Sequence, residues 1–246
     1  MKLSRTRRHW EKFARTDPMW AVLTVPEKAG NRWKPEEFFA NGREVVDAEI
    51  AGVRARYPAL GNGRALDFGC GVGRLTQALT RHFSHVTGVD ISANMLALAR
   101  QHNQHGARVD YVHNTQPDLS CFPANTFDFV YSIITLQHME PRYARLYIKE
   151  FVRVLAPGGA ALFQLPASGK PRSPRRFSLW PATLAKRFWR LVRRLISGKP
   201  VMEMHTIPRE EVLSVLQAAG AEVLNVYRYD AAGATFESYG YLIRKP

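Results

Sequence analysis

The sequence has few of the residues on which several classes of protein depend. Only two of its 246 residues are cysteines, Cys70 and Cys121, too few for a disulfide framework and without the paired spacing of a zinc site. No apolar run approaches the roughly 20 residues that a membrane-spanning helix needs. No apolar stretch follows the charged N-terminal residues, so we expect no secretory signal and a reducing, cytoplasmic location.

Acidic residues are also scarce, and the imbalance is local. Thirty-five Lys and Arg against 21 Asp and Glu give a formal net charge of +14. Residues 1–15 carry six basic side chains and one acid, and residues 168–200 carry ten basic side chains and no acid. The remainder is close to neutral. This distribution predicts a near-neutral main domain with two basic segments that could contact an anionic partner.

The most informative stretch runs from Arg64 to Thr76. A short apolar run ends at Asp67, glycines follow at positions 69, 71 and 73, and a helical pattern begins at Leu75. A strand, a glycine turn and a helix start form a nucleotide cradle, because glycine lets the backbone approach a ligand and the helix offers N–H donors. The dinucleotide fingerprint Gly-x-Gly-x-x-Gly does not fit, because its last position falls on Arg74.

The pattern that is present, acid-x-Gly-x-Gly-x-Gly, resembles motif I of the class I S-adenosylmethionine (SAM) dependent methyltransferases. Three later segments resemble that family in the family's order. Residues 85–90 read as a strand ending in an acid, residues 127–138 as the fourth strand and its loop, and residues 153–159 as the turn before the fifth strand. The resemblance covers roughly residues 63–166. It implies an α/β fold, a doubly wound, Rossmann-like sheet of seven strands.

The hydrophobic pattern predicts elements that agree with this fold. We expect strands near 63–67, 85–90, 108–113, 127–132 and 159–165, and helices near 73–83, 92–103, 141–155 and 208–220. The runs 221–229 and 236–244 resemble the family's final hairpin, whose last strand inserts antiparallel between the fifth and sixth. Residues 61–246 would form the methyltransferase domain. Residues 1–60 would form a helical extension that covers the SAM pocket as a lid, or simply packs on the sheet.

The resemblance also implies a set of SAM-binding residues: Asp67, Gly69, Gly71, Gly73, Asp90, Ile91, Asp118 and Leu119. In this assignment the glycines pack against the amino acid portion of SAM, and Asp67 orients their loop. Asp90 binds the ribose hydroxyls and Ile91 packs on the adenine. Asp118 and Leu119 match best at the adenine end, and Asn114 as a turn residue is the competing interpretation. No metal site is predicted.

His138 is the one proton acceptor whose location is predictable, in the loop after the fourth strand. An imidazole titrates near neutral pH and could take a proton from a hydroxyl or an amine. The alternative is a structural histidine that bonds the backbone and shapes the pocket. Arg74 either caps the carboxylate of SAM or faces solvent.

The segment 168–200 forms a basic insert after the fifth strand. Its apolar residues recur at helical spacing between cations, as Leu184, Phe188, Leu191, Val192, Leu195 and Ile196. The pattern is typical of an amphipathic helix, which either packs on its own domain or adsorbs to an anionic surface. We favour a membrane surface over nucleic acid, because Trp180, Phe188 and Trp189 stand beside the arginines. The enzyme would then be peripheral at the inner membrane surface.

The leading functional hypothesis is an enzyme that methylates an O, N or C atom of a small-molecule or lipid-like acceptor. An RNA methyltransferase is the first alternative, suggested by the basic segments. No Asn-Pro-Pro-Tyr type motif follows the fourth strand, where Tyr131 and Ser132 stand instead. A non-catalytic SAM-binding protein is the second alternative. The acceptor and the oligomeric state are not predicted.

Overall fold

A computed structural model describes residues 3–169, 200–233 and 235–246. The predicted amphipathic stripe, Leu184 to Ile196, therefore lies outside the described residues. Only the two ends of the basic insert are described. At its N-terminal end, Ser168 and Gly169 still belong to a strand, because they pair with Glu237 and Phe236.

Seven strands form one sheet: β1 (Arg64–Phe68), β2 (His85–Asp90), β3 (Val109–His113), β4 (Phe127–Ser132), β5 (Leu155–Gly169), β6 (Glu222–Arg228) and β7 (Phe236–Arg244). The described α-helices are α1 (Leu3–Thr16), α2 (Pro18–Val22), α3 (Pro35–Arg56), α4 (Arg74–Leu79), α5 (Ala93–Gln101), α6 (Pro141–Val154) and α7 (Arg209–Ala218). Short 3-10 turns cover Pro26–Lys28, Gly106–Arg108, Leu136–His138 and Asp230–Ala232.

The strand order is β3-β2-β1-β4-β5-β7-β6. Strands β1 to β5 are parallel to one another, whereas β7 lies antiparallel between β5 and β6. The predicted hairpin insertion is therefore confirmed. Strand order reverses between β1 and β4, and in open parallel sheets a ligand crevice forms at that point, beyond the carboxyl ends of the strands.

Helices cover both faces of the sheet, and adjacent strand residues point to opposite sides. Leu66, Val130 and Phe163 pack with α6 and α7, whereas Ala65, Phe129 and Leu162 pack with α3 and α4. All six of these side chains are fully buried. Strands buried on both faces require continuous apolar runs, which explains why β1, β4 and β5 could be predicted from short apolar segments.

Two predicted elements differ in length from those observed. The helix expected over 73–83 ends at Leu79, and a turn follows in which the N–H of His82 and the N–H of Phe83 donate to the Leu79 carbonyl. The strand expected over 159–165 runs from Leu155 to Gly169, because its pairing with β7 continues past Pro166 through a register shift. The local sequence pattern predicted neither the end of α4 nor the extent of β5, because both depend on residues far away in the sequence.

None of the helices in the described part of the chain combines the length and apolarity needed to cross a bilayer.

Candidate active site

A cavity opens at the carboxyl ends of β1, β2 and β4, where the strand order reverses. Its volume, with the open mouth included, is about 890 Å³. The wall is mostly apolar. It is formed by Leu3, Thr6, Trp10, Val22, Phe68, Gly69, Cys70, Gly71, Arg74, Leu75, Val89, Asp90, Ile91, Asn114, Ile133, Ile134, Thr135, His138, Met139 and Tyr147.

The loop after β1 can only be built with glycine at three of its positions, two of which line the cavity. Gly69 and Gly71 have φ of 79° and 54°, a region that other residues rarely adopt. A Cβ at Gly69 would collide with the side chain of Thr135, and a Cβ at Gly71 would lie 2.6 Å from Cγ2 of Val22. The loop therefore passes closely between the segment after β4 and the N-terminal region, with bare backbone against the cavity.

Most of the loop's N–H groups are already bonded inside the protein. The N–H groups of Gly69 and Cys70 donate to the carbonyl of Val89, at 2.8 and 3.1 Å, and the N–H of Gly73 donates to Cys70. The N–H of Gly71 donates to Oδ2 of Asp90 at 2.9 Å. These four N–H groups are therefore not available to a ligand, and the loop itself offers close approach of its backbone.

Asp90 ends β2 with its carboxylate at the cavity wall. Oδ2 accepts from Gly71, and Oδ1 accepts from the N–H of Ser92 at 2.8 Å. Burial raises its pKa, although both backbone bonds act in the opposite direction. A carboxylate has about four acceptor positions, so two remain for a ligand. Ile91, the next residue, also lines the cavity.

Asp67 lies behind the loop rather than at the cavity. It is 2% exposed, and Oδ2 accepts a 2.6 Å hydrogen bond from Oγ1 of Thr76, which ties β1 to α4. Burial, reinforced by the nearby charge of Asp90, raises the pKa of Asp67 to about 7, against the Thr76 bond and Arg74. Gly73 is likewise outside the wall and forms the N-cap of α4.

Asp118 and Leu119 are not among the residues of the cavity wall. The Asp118 carboxylate accepts from the N–H and hydroxyl of Ser120, and the N–H of Leu119 donates to Glu150. Asn114 does line the wall. It also makes the turn after β3, where its Oδ1 accepts from Gln116. Its position directly after a strand beside β2 is the sequence signal that favours it.

Arg74 is a wall residue whose burial the sequence did not predict. It is 4% exposed, and Nη1 donates to Oδ1 of Asn41 at 2.8 Å. Its Nε is buried without a hydrogen-bond partner among the described residues. No carboxylate of the described residues forms an ion pair with Arg74. Gly42 of α3 allows this burial, because a Cβ there would lie 2.8 Å from Cγ of Arg74.

His138 lines the cavity and is 4% exposed. Its Nδ1 lies 2.7 Å from the carbonyl oxygen of Glu203. A carbonyl only accepts, so Nδ1 carries the proton and Nε2 has the lone pair in the neutral ring. Burial lowers the pKa of His138 to about 4, with a smaller lowering by His205, while the bond to Glu203 opposes the shift. The edge of the ring meets Trp10, with centroids 5.3 Å apart.

Comparison with known proteins assigns the central part of the chain to a family. Residues 65–159 match the family described as "Methyltransferase domain". A SAM-dependent methyltransferase of known structure from Mesorhizobium loti is 26% identical, with a TM-score of 0.56 over 81% of this chain and 100% of its own. A SAM-dependent methyltransferase from Leishmania major has a TM-score of 0.64 over 98% and 82%, at 18% identity. The fold, and the match over residues 65–159, are those of a class I SAM-dependent methyltransferase domain.

Curated proteins with similar sequences include several that are named for a reaction. The ubiquinone biosynthesis O-methyltransferase of Hahella chejuensis is 34% identical over 62% of this chain and 63% of the relative. That of Xanthomonas axonopodis pv. citri is 34% identical over 69% and 63%. The chain thus spans less than two thirds of the length of these relatives.

Part of the cavity wall comes from outside the residues that match the methyltransferase domain. Helix α1 contributes Leu3, Thr6 and Trp10. Its position is fixed by Glu11, whose Oε1 accepts a 2.7 Å bond from the N–H of Ala93 at the start of α5, and by an ion pair between Arg5 and Glu203. The N-terminal helix therefore forms one side of the site of the methyltransferase domain.

The low pKa of His138 predicts a pH dependence of stability. Between the ordinary value of 6.5 and about 4, the unfolded chain binds a proton at this residue that the folded protein does not. The free energy of unfolding therefore falls as pH falls through this window, by about 3 kcal/mol at most. Urea unfolding should show that the free energy of unfolding decreases less from about pH 7 to about pH 4.5 in His138→Gln than in wild type.

His85→Gln is the control for that measurement, because it removes a half-buried histidine at the far end of β2. Equal pH dependence of wild type and His138→Gln would show that His138 is not held neutral.

Proposed function

We propose that this protein is a SAM-dependent methyltransferase that transfers a methyl group to an oxygen atom of a small, mainly apolar acceptor. The observation that carries the proposal is one cavity that combines bare glycine backbone with a carboxylate, an unpaired guanidinium and a neutral imidazole. The names of the curated relatives, O-methyltransferases, support the choice of oxygen. SAM supplies the activated methyl group, so the protein has to bind SAM and the acceptor, orient them, and take the proton from the acceptor hydroxyl.

The charged groups of the cavity fit the polar parts of SAM. The free acceptor positions of Asp90 suit the two ribose hydroxyls, and Ile91 and Asn114 lie at the same end of the wall. The buried guanidinium of Arg74 suits a carboxylate, which it would bind by charge-assisted hydrogen bonds. Gly69 and Gly71 would let SAM lie close to the backbone between Asp90 and Arg74. Roles of Asp67, Gly73, Asp118 and Leu119 in binding SAM stay predictions.

The other end of the cavity suits the acceptor. Trp10, Ile133, Ile134 and Met139 make it apolar, and α1 would cover it as a lid. His138 would take the proton of the acceptor hydroxyl at Nε2. A base whose pKa is about 4 is weak, so it works best on an acidic hydroxyl. A phenol, with a pKa near 10 by analogy with tyrosine, suits it far better than an alkyl alcohol.

SAM binding is the first test. Calorimetry should give about tenfold to 100-fold weaker binding for Asp90→Asn and for Arg74→Met, because each removes a charged hydrogen bond of about 1.5–3 kcal/mol. Asp110→Asn is the matched control, since it changes an exposed aspartate of β3 outside the cavity wall and should bind normally. A wild-type protein that binds NADH but not SAM would overturn the proposal.

Methyl transfer is the second test. SAM labelled in its methyl group, incubated with protein and a cell extract, should label the small-molecule or lipid fraction. His138→Gln should lower that rate by about 10² to 10⁴, the usual contribution of a positioned base, while its affinity for SAM stays near wild type. His85→Gln should remain active. Label in RNA would favour the RNA methyltransferase alternative, and SAM binding without any labelled fraction would favour a non-catalytic role.

The basic insert leads to a second proposal, that the protein adsorbs to anionic membranes. The support is its sequence, ten basic side chains without an acid in residues 168–200. Each cation near such a surface adds roughly 1 kcal/mol. Wild type should therefore sediment with anionic vesicles and not with neutral ones, and the Arg187/Arg190/Arg193/Arg194→Glu variant should lose this binding. Equal sedimentation with both lipids, or no loss in the variant, would contradict it.

A further inference from the structure

Behind the cavity wall, buried polar groups form a continuous hydrogen-bonded chain that ends at His138. The side chains of Gln164 on β5, Gln137 and His138 are 0%, 2% and 4% exposed. The N–H of Ile134 donates to Oε1 of Gln164 at 3.1 Å. Nε2 of Gln164 donates to Oε1 of Gln137 at 3.1 Å and also to the hydroxyl of Ser238 on β7. Nε2 of Gln137 lies 3.3 Å from Nε2 of His138.

Two backbone groups fix the direction of every bond in this chain. The N–H of Ile134 can only donate, so the oxygen of the Gln164 amide must face it and the nitrogen must face Gln137. The oxygen of Gln137 must then face Gln164, which leaves its nitrogen facing His138. At the other end, the Glu203 carbonyl can only accept and so requires a proton on Nδ1. Amide and imidazole orientations, ordinarily ambiguous, are determined here.

The chain consequently disfavours a proton on Nε2 of His138. An Nε2–H would point at the N–H₂ group of Gln137, donor against donor. At 3.3 Å the existing contact is long for a hydrogen bond, so the Nε2 lone pair of His138 is only weakly engaged by Gln137. Gln164 also holds the backbone of Ile134, a β-branched residue at φ 58° in the cavity wall. Such a conformation persists only where its surroundings enforce it.

We propose that Gln164 is a positioning residue, which orients the Gln137 amide and thereby keeps Nε2 of His138 unprotonated and able to accept a proton. Gln164 is absent from the cavity wall and acts through Gln137. The catalytic purpose of this arrangement rests on the function proposed above for His138, whereas the orientation itself does not.

Substitutions at Gln164 leave the other charged groups near His138 unchanged. Glu203 supplies its carbonyl to the ring, while its carboxylate pairs with Arg5 of α1 and lies 3.6 Å from Nε2 of His205. His205 is held through its N–H, which donates to the carbonyl of Gln137 at 2.8 Å. None of these groups is bonded to Gln164.

The Gln164→Glu variant separates orientation from packing. A carboxylate has the shape of the amide but cannot donate, so the Gln137 amide should turn its nitrogen toward residue 164. Its oxygen then faces Nε2 of His138 and favours a proton there. Nitrogen-15 NMR of the imidazoles should show His138 with only Nδ1 protonated in wild type at neutral pH. In Gln164→Glu, the pH midpoint at which Nε2 gains its proton should be higher by about one unit or more.

Gln164→Met and a SAM titration complete the experiment. Methionine keeps the volume but does not orient the Gln137 amide, so the Nε2 signal of His138 should broaden or shift while Nδ1 stays protonated. His138→Gln identifies the signals to follow. Unchanged His138 signals in both Gln164 variants would overturn the inference. A wild-type protein that does not bind SAM would instead overturn the proposed function. Gln164→Glu keeps an acceptor for the N–H of Ile134, so this variant should bind SAM within about threefold of wild type.

Discussion

The end of β2 holds the loop after β1, and the cavity depends on that attachment. Three consecutive N–H groups, those of Gly69, Cys70 and Gly71, donate to the carbonyl of Val89 and the carboxylate of Asp90. To make these bonds the chain must turn through positive φ at both glycines. The same bonds consume the donors that a glycine loop could otherwise present. The loop therefore supplies a place for a ligand to lie, and side chains must supply its polar contacts.

Those side chains come from separate parts of the fold and meet in an apolar wall. Asp90 ends β2, Arg74 begins α4, and His138 follows β4. Each charge or dipole acts more strongly there than in water, and each is costly unless paired. Arg74 is the clearest case, since its guanidinium is buried with only the Asn41 amide as a hydrogen-bond partner in the described structure. A bound carboxylate would resolve this deficit, which is why Arg74 carries weight in the proposed binding of SAM.

The sequence predicted what local patterns determine and missed what distant contacts determine. The strands β1 to β4, the helices α5 and α6 and the final hairpin follow from apolar runs and turn residues, and all are present. The end of α4 at Leu79 and the length of β5 do not follow, because tertiary packing and pairing with β7 set them. Asn114 can be recognised as a cavity residue only when the place of β3 beside β2 in the sheet is known. The tautomer of His138 depends on Glu203, 65 positions away in the sequence.

A carbonyl partner for His138, rather than a carboxylate, has a consequence for the proposed reaction. A carboxylate on Nδ1 would stabilise the imidazolium and raise its pKa. The Glu203 carbonyl fixes the same tautomer without adding charge, and burial keeps the pKa near 4. SAM carries a positive sulfonium, so a neutral ring in the same cavity avoids repulsion between like charges. The weak base that results cannot deprotonate an ordinary alcohol, and acidity must come from the acceptor itself. In the proposed reaction, the feature that makes the site compatible with a cationic cofactor would thus also favour a phenol-like acceptor.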